Sequence, residues 1–201
     1  MIYVIRTLYQ TKKRCKGIMK RYEIVNKKTE WEGRFLRGVG ITYRDSLGIL
    51  RKWESVERRN CDGIVAVVPY TDEGEVIFIR QFRPPVSSQV IEFPAGLNDR
   101  GESTENAARR ELLEETGYEA KEMVFLAKGP LSSGSSVEIL TAYLARGLRF
   151  EGIGQRDETE DIEVLKVPVD EVYERLSRLE AEGNFIDLKV FGLMEMAKRV
   201  V

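Results

Sequence analysis

Residues 96–118 read GLNDRGESTENAARRELLEETGY, and they carry the strongest structural signal in the chain. Before Ser103 it is rich in glycine and small polar residues, which is typical of a loop. From Ser103 or Thr104, either of which predicts a helix N-cap, the apolar residues follow helical spacing. Gly117 predicts the end of that helix, because glycine readily adopts the left-handed conformation that closes a helix. The stretch therefore predicts a polar loop that leads into one helix.

Three carboxylates share one face of this predicted helix. Glu111, Glu114 and Glu115 stand at positions i, i+3 and i+4, which are neighbours on a helical surface. Like charges at this spacing repel each other, and the helix dipole disfavours anions near the C-terminus. A solvated acidic face is one interpretation. The other is a site for a hard divalent cation such as Mg²⁺, whose charge would neutralise the cluster.

The whole stretch resembles the Nudix signature: Gly, five residues, Glu, seven residues, Arg-Glu, an aliphatic residue, any residue, Glu-Glu, any residue, Gly and an aliphatic residue. The matching positions are Gly96, Glu102, Arg110, Glu111, Leu112, Glu114, Glu115 and Gly117. Tyr118 departs from it, as an aromatic residue in the last aliphatic position. The resemblance implies an α/β (α+β) fold, the Nudix α/β/α sandwich with a mixed β-sheet and a small N-terminal antiparallel sheet. It also implies Mg²⁺-dependent cleavage of a nucleoside diphosphate linked to another group.

From about residue 19 onward the chain resembles one branch of that family, the ADP-ribose pyrophosphatases and related nucleotide-sugar hydrolases. The motifs that carry this resemblance are Gln81-Phe82-Arg83, Glu92-Phe93-Pro94-Ala95-Gly96, Asp157-Glu158-Thr159-Glu160-Asp161-Ile162 and Gly183-Asn184-Phe185-Ile186-Asp187. The resemblance implies a nucleoside diphosphate sugar as substrate, with ADP-ribose, cleaved to AMP and ribose 5-phosphate, as the first choice. GDP-mannose or another nucleotide sugar is the alternative.

The same resemblance implies two or three Mg²⁺ ions per site, with Mn²⁺ able to substitute. The implied ligands are Glu111, Glu114, Glu115, Glu160 and the backbone carbonyl of Ala95. Glu158 is the implied catalytic base and Glu160 the alternative, while Glu111 and Glu115 serve catalysis through the metal. A carboxylate can take this role because a bound metal lowers the pKa of water. Without the signature, residues 157–161 would read as an acidic surface loop.

Other positions are assigned by resemblance to substrate binding or to the architecture of the signature. The structural positions are Gly96, Glu102, Arg110 and Gly117, with Glu102 holding Arg110. Arg83 is expected to bind a phosphate or the terminal ribose, since a guanidinium fits oxygen anions, and Glu92 to contact the sugar. Ser133 lies where this branch usually has a proline, in a loop expected to contact substrate. That departure leaves the choice of nucleotide sugar open.

Composition excludes several classes of site. The 201 residues include no histidine, which removes Ser-His and Cys-His catalysis and histidine-rich zinc sites. Cys15 and Cys61 have no metal-ligand spacing and form no disulfide framework, which favours a cytoplasmic protein. No apolar run is long enough to span a bilayer. The first positive charges follow the apolar start rather than preceding it, unlike in a secretory signal.

Three regions are expected along the chain: an N-terminal extension at residues 1–18, a β-sheet region at 19–60 that dimerises the protein, and the Nudix domain at 61–201. Glycines divide residues 20–56 into hairpin strands. Further strands are predicted at 63–69, 75–80, 90–93, 123–127, 137–145 and 162–167, and helices at 169–182 and 185–200. The resemblance implies that the N-terminal sheet reaches across a homodimer and helps to bind the base, and four aromatic residues are candidates to stack on it. For any one of them a core or interface position is the more common role: Trp31, Phe35, Tyr43 and Trp53.

Two other functions remain open at this point. A Nudix fold could sense a nucleotide sugar without hydrolysing it, but such a protein should have lost carboxylates of the signature, and none is missing. An enzyme acting on nucleic acid or oxidised nucleoside triphosphates is favoured slightly by the basic first third of the chain. Such charges are more often a solvated or interface surface. The nucleotide-sugar motifs favour a small-molecule substrate, and neither nucleic acid nor a membrane is the expected partner.

Overall fold

The computed structural model of the chain describes residues 22–152 and 161–200. The strands are β1 (Glu23–Glu32), β2 (Leu36–Arg44), β3 (Leu50–Arg58), β4 (Ile64–Pro69), β5 (Glu75–Arg83), β6 (Ser88–Glu92), β7 (Ala95–Leu97), β8 (Tyr118–Pro130), β9 (Ile139–Phe150), β10 (Ile162–Pro168) and β11 (Phe185–Ile186). The helices are α1 (Thr104–Thr116), α2 (Val172–Ala181) and α3 (Lys189–Ala197), and a 3₁₀ turn covers Pro84–Val86. None of these helices is both long and apolar enough to cross a membrane.

The strands form three sheets. Strands β1, β2 and β3 make an antiparallel sheet of their own, which is the N-terminal sheet that the sequence predicts. The other eight strands form two four-stranded sheets with the orders β10-β5-β6-β11 and β7-β4-β9-β8. Both of these sheets are mixed, because β4 pairs with β9 and β6 with β11 in parallel while the other pairs are antiparallel.

Strand β4 is buried on both faces and divides the core in two. Successive side chains of a strand point to opposite faces, and both faces of β4 are apolar. Val65 and Val67 belong to a buried cluster with Leu112 of α1. Ala66 and Val68 belong to a second cluster, which includes buried residues of α2, α3 and the other four-stranded sheet. Helix α1 therefore covers one face of its sheet, while α2, α3 and the second sheet cover the other.

Both ends of α1 are fixed by local hydrogen bonds. The Oγ of Ser103 accepts a hydrogen bond of 3.1 Å from a backbone N–H of the first turn. Of the two predicted N-caps, Ser103 is thus the one used, whereas Thr104 places its hydroxyl 2.7 Å from that of Tyr143. Gly117 closes the helix with a φ of 79° and donates its N–H to the carbonyl of Leu113 at 2.9 Å. These contacts fix which way the carboxylates of α1 point.

The aromatic departure from the Nudix signature is explained by packing. The ring of Tyr118 meets that of Phe150 edge to face, with centroids 5.2 Å apart. The ammonium of Lys166 lies 5.1 Å from the centre of the same tyrosine ring. A flat side chain thus fills the position at the start of β8 where the signature has an aliphatic one, and its ring packs between Phe150 and Lys166.

The prediction of one helix over residues 185–200 is wrong at its start. Phe185 and Ile186 form β11, which pairs in parallel with Val90 and Ile91 of β6, and α3 begins only at Lys189. A strand of two residues carries no periodic signal, so only its pairing partner reveals it.

Two further elements differ from the sequence prediction. Strand β8 starts directly after α1 instead of at residue 123, and it pairs with β9 along its length, with an irregularity between Phe125 and Ala127. Strand β7 is not predicted at all, because Gly96 at its centre reads as a loop residue. It pairs with β4, which brings the start of the signature onto the sheet.

Candidate active site

A cleft of about 740 Å³ lies between β5, β6, β7, α1 and the start of α3. Its volume falls in the usual range for small-molecule sites, roughly 300–1,000 Å³. The sequence-predicted site residues that line it are Arg83, Glu92, Ala95, Gly96, Arg110, Glu111, Glu114 and Glu115. Glu102, Gly117 and Ser133 do not line it. The structure thus gathers the three helix carboxylates and the arginine of the first motif in one cavity.

Strand β7 and helix α1 approach each other closely at the carboxylates. The N–H of Ala95 donates to Oε2 of Glu115 at 2.8 Å, and Glu115 is only 4% exposed. A methyl group on Gly96 would lie 2.1 Å from the carboxyl carbon of Glu111 and 2.3 Å from each of its oxygens. Glycine at position 96 therefore leaves the space that the Glu111 carboxylate occupies. The carboxylates of Glu115 and Glu111 thus lie against Ala95 and Gly96 of β7, respectively.

Arg110 ties the signature loop to the helix. Its Nε donates to Glu102 at 2.9 Å, and its Nη1 donates to Glu111 at 2.6 Å and to Glu114 at 3.0 Å. Its Nη2 donates to the carbonyl of Leu97 at 3.0 Å. Burial alone would lower the pKa of Arg110, but the hydrogen bond with Glu102 and the charge of Glu111 outweigh it, so the pKa is raised. The guanidinium therefore stays charged and offsets repulsion among the carboxylates.

Arg110→Met is expected to lower the free energy of unfolding by roughly 3 kcal/mol, because it leaves three partly buried carboxylates without their shared cation. Hydrolytic activity should fall as well, since Glu111 and Glu114 lose the contact that orients them. Chemical denaturation and steady-state kinetics measure the two effects. Arg149→Met is the control, because Arg149 is 74% exposed and its ion pairs lie at the surface. A loss of more than about 1 kcal/mol there, or none at Arg110, would contradict this account.

The donor set around β7 fits part of a divalent cation site. Carboxylates of Glu111 and Glu115 and the carbonyl of Ala95 are the hard oxygen ligands that Mg²⁺ prefers. Within residues 22–152 and 161–200, no three acidic or cysteine side chains already converge as a complete site. Arg110 holds Glu111 and Glu114 in this arrangement. The oxygen chemistry fits the metal, and further ligands would complete the shell.

Arg83 is the second cation of the cleft. Its Nε donates to Oε1 of Glu92 at 2.7 Å, and the Glu92 side chain is almost fully buried. Burial alone would lower the pKa of Arg83, but the hydrogen bond and charge of Glu92, with the charges of Glu115 and Asp187, raise it. Glu92 thus orients a charged guanidinium in the same cavity as Glu115. An anionic group of a ligand could bind between this arginine and the carboxylate helix.

Several predicted positions stand apart from this cluster. Glu158, Glu160 and the N-terminal extension at residues 1–18 lie outside the described residues. Ser133 is exposed, in the turn between β8 and β9. That turn is tied to the N-terminal sheet, since the indole N–H of Trp53 donates to the carbonyl of Gly134 at 2.9 Å. Ser133 therefore lies beside the sheet of its own chain and away from the cleft wall.

Several charged residues that line the cleft are not among the predicted site residues, and Arg58 and Glu138 are two of them. Arg58, the last residue of β3, donates from its Nε to Oε1 of Glu138 at 2.6 Å. The second oxygen of Glu138 lies 3.4 Å from the hydroxyl of Ser136. Arg58 is one of several basic residues in and after β3, and the sequence does not show which of them faces the cavity. Arg58 faces the cavity because β3 pairs with β2 and packs against the turn between β8 and β9.

Comparison of the sequence with known proteins identifies the family of this chain. The family model described as the NUDIX domain matches residues 62–188. The chain belongs to the Nudix family. A relative described as the methanol dehydrogenase activator of Bacillus methanolicus is 34% identical, over 68% of this chain and 75% of its own length. The ADP-ribose pyrophosphatase of Saccharomyces cerevisiae is 29% identical, over 96% of this chain and 93% of its own.

A solved structure extends the Nudix likeness to three dimensions. The crystal structure of an ADP compounds hydrolase matches with a TM-score of 0.67 and 28% identity, covering 78% of this chain and 84% of that one. The predicted Nudix fold class is therefore confirmed. So is the prediction of an enzyme, a Nudix hydrolase, a family whose members generally depend on a divalent metal.

Proposed function

We propose that this Nudix hydrolase cleaves the diphosphate of a nucleoside diphosphate sugar, with ADP-ribose as its first substrate and Mg²⁺ as its metal. One observation carries the proposal: Glu111 and Glu115 meet β7 in the same cleft as Arg83. Such carboxylates suit a hard divalent cation, and a guanidinium suits a phosphate. The names of the yeast relative and of the structural neighbour support an ADP-containing substrate.

In the proposed reaction, water adds to one phosphorus of the diphosphate, and the bond from that phosphorus to the bridging oxygen breaks. The water gives up a proton, and the bridging oxygen leaves with the other phosphate. With ADP-ribose, the products are AMP and ribose 5-phosphate. A bound divalent cation supplies charge neutralisation at the phosphate oxygens and lowers the pKa of water.

The metal and the proton are assigned to separate groups of residues. In this proposal, the residues that hold the cation are Glu111, Glu114, Glu115, Glu160 and Ala95, the last through its carbonyl. Glu158 accepts the proton of the attacking water. The buried contact between the N–H of Ala95 and Glu115 supports the first assignment, because it fixes one carboxylate beside the strand that would supply a carbonyl.

The phosphates of the substrate are assigned to the arginines of the cleft. Arg83 binds a phosphate oxygen, and Glu92 keeps its guanidinium oriented through their hydrogen bond of 2.7 Å. Arg58 offers a second guanidinium on the side of the N-terminal sheet. Two arginines at separate points of one cavity match the spread of negative charge in a diphosphate.

We also propose that the enzyme is a cytoplasmic homodimer formed through its N-terminal sheet. Strand β1 is exposed along its whole length, and Phe35 is 66% exposed beside it. Trp31 and Trp53 are each about half exposed. Exposed apolar groups on this scale favour a partner surface. Light scattering behind a sizing column should give twice the chain mass, and a monomer at micromolar concentration would contradict the dimer.

A substrate panel tests the proposed function. Purified chain with Mg²⁺ is offered ADP-ribose, GDP-mannose, UDP-glucose, NADH and 8-oxo-dGTP, and phosphate is measured after coupling to a phosphatase. ADP-ribose should give the highest kcat/KM. Preferential release of pyrophosphate from 8-oxo-dGTP would move the assignment to nucleoside triphosphates. Absence of turnover with all five substrates would contradict the proposed function.

A further inference from the structure

A buried glutamine at the cleft wall has an acceptor that no described residue uses. Gln81 is 8% exposed and lines the cavity, and within residues 22–152 and 161–200 its Oε1 has no hydrogen-bond partner. A buried acceptor without a partner destabilises a fold, so native proteins rarely keep one without a reason. A donor on a bound ligand would satisfy it.

The sheet places this glutamine next to the arginine of the cleft. Gln81 and Arg83 are two residues apart on β5, so their side chains share one face of the strand. Val90 pairs with Gln81 across β6, and Glu92 follows two residues later on the same face. All four of these residues line the cavity. Gln81 is therefore part of the wall that presents Arg83.

Asp187 completes this end of the cleft. Its N–H donates to the carbonyl of Ile91 at 3.0 Å, which fixes it beside the end of β6. Its Oδ1 accepts the N–H of Lys189 at 2.9 Å, and its Oδ2 accepts from the ammonium of the same lysine. Asp187 and Lys189 both line the cavity, and Asp187 is one of the charges that act on Arg83.

The charges at this end of the cavity balance. Arg83 and Lys189 are positive, Glu92 and Asp187 are negative, and Gln81 adds an acceptor without charge. Arg83 serves the diphosphate in the proposed function, but a further anionic group on the terminal sugar would meet the carboxylates of Glu92 and Asp187. A neutral group rich in O–H donors would instead satisfy the acceptors, and each such bond made in a desolvated pocket adds to affinity and specificity.

From this arrangement we infer that Gln81 and Asp187 accept hydrogen bonds from hydroxyl groups of the substrate's terminal sugar. They thereby select a nucleotide joined to an uncharged sugar ring over one that ends in phosphate. The inference rests on the proposed function and names two specificity-determining residues within it. It also gives a role to the aspartate of the motif at residues 183–187.

Gln81→Leu and Asp187→Asn test this inference in the 201-residue chain. Each should raise the KM for ADP-ribose roughly tenfold, as expected for one lost hydrogen bond, and leave kcat within about threefold. The inhibition constant of AMP, which lacks the terminal sugar, should not change. Thermal unfolding of Gln81→Leu should not occur at a lower temperature than for wild type, because the change removes a buried acceptor without a partner.

Gln89→Leu and Asp170→Asn are the matched controls, since both positions are exposed and lie outside the cleft. An unchanged KM in Gln81→Leu and Asp187→Asn, with wild-type turnover of ADP-ribose intact, would overturn the inference and leave the proposed function standing. Equal weakening of AMP inhibition would also overturn it, because the effect would not be confined to the sugar. Absence of turnover in the wild type would overturn both.

Discussion

Glu115→Gln is expected to abolish metal-dependent turnover, lowering kcat by about a thousandfold. Losing a ligand that fixes the catalytic metal removes several kcal/mol of transition-state stabilisation, and each 1.4 kcal/mol is about a factor of ten. The fold should remain, because the glutamine carboxamide can still accept the hydrogen bond from the N–H of Ala95 that Glu115 now accepts at 2.8 Å. Steady-state kinetics on ADP-ribose measures the first effect and circular dichroism the second.

Metal binding itself can be measured beside Glu115→Gln. Mg²⁺ should raise the unfolding temperature of the wild type, since a ligand that binds only the folded state stabilises it, and should raise that of the variant less. Glu122→Gln is the matched control, because Glu122 is exposed on β8 and does not line the cleft. Equal Mg²⁺ stabilisation of Glu115→Gln and the wild type would show that Glu115 does not bind the metal.

Gly96→Ala is expected to lower kcat/KM by roughly a hundredfold or more while leaving the chain folded. The new methyl group would lie 2.1 Å from the Glu111 carboxyl carbon, so that carboxylate must move. Because the clash is with the end of a flexible side chain, the fold should lose only about 1–3 kcal/mol. The displaced group is a proposed metal ligand, and small misplacements at a catalytic centre have large kinetic effects.

A second glycine provides the control for Gly96→Ala. Gly192 lies in α3, is exposed, and has open space where a methyl group would go. Gly192→Ala should raise stability by up to about 1 kcal/mol, as alanine favours a helix, and should leave kinetics unchanged. If Gly96→Ala retained full activity, Glu111 would not need its present position, and the metal assignment would fail.

The sequence predicts the helix and its acidic face well, for local reasons. The start at Ser103, the end at Gly117 and the spacing of Glu111, Glu114 and Glu115 all depend on residues within one stretch. Helix ends and the residues that share a helix face can therefore be predicted from this stretch alone. The resemblance of the same stretch to the Nudix signature then predicts the fold class, which comparison confirms.

Features that depend on distant pairing could not be read from the sequence. The clearance that Gly96 gives Glu111 exists only once β7 pairs with β4 and α1 covers that sheet. Likewise, Arg58 meets Glu138 only because β3 docks on the turn before β9. The unused acceptor of Gln81 is visible only after every described neighbour is in place. Each of these features depends on strand pairing or packing that no single stretch of sequence contains.

The most direct test of the central claim is identification of the products of ADP-ribose after incubation with the wild-type chain, with Mg²⁺ and with excess EDTA. Mass spectrometry should find AMP and ribose 5-phosphate in equal amounts with Mg²⁺, and unchanged ADP-ribose in EDTA. Intact ADP-ribose under both conditions, or the same products in EDTA, would contradict the account of a metal-dependent hydrolase built around Glu111 and Glu115.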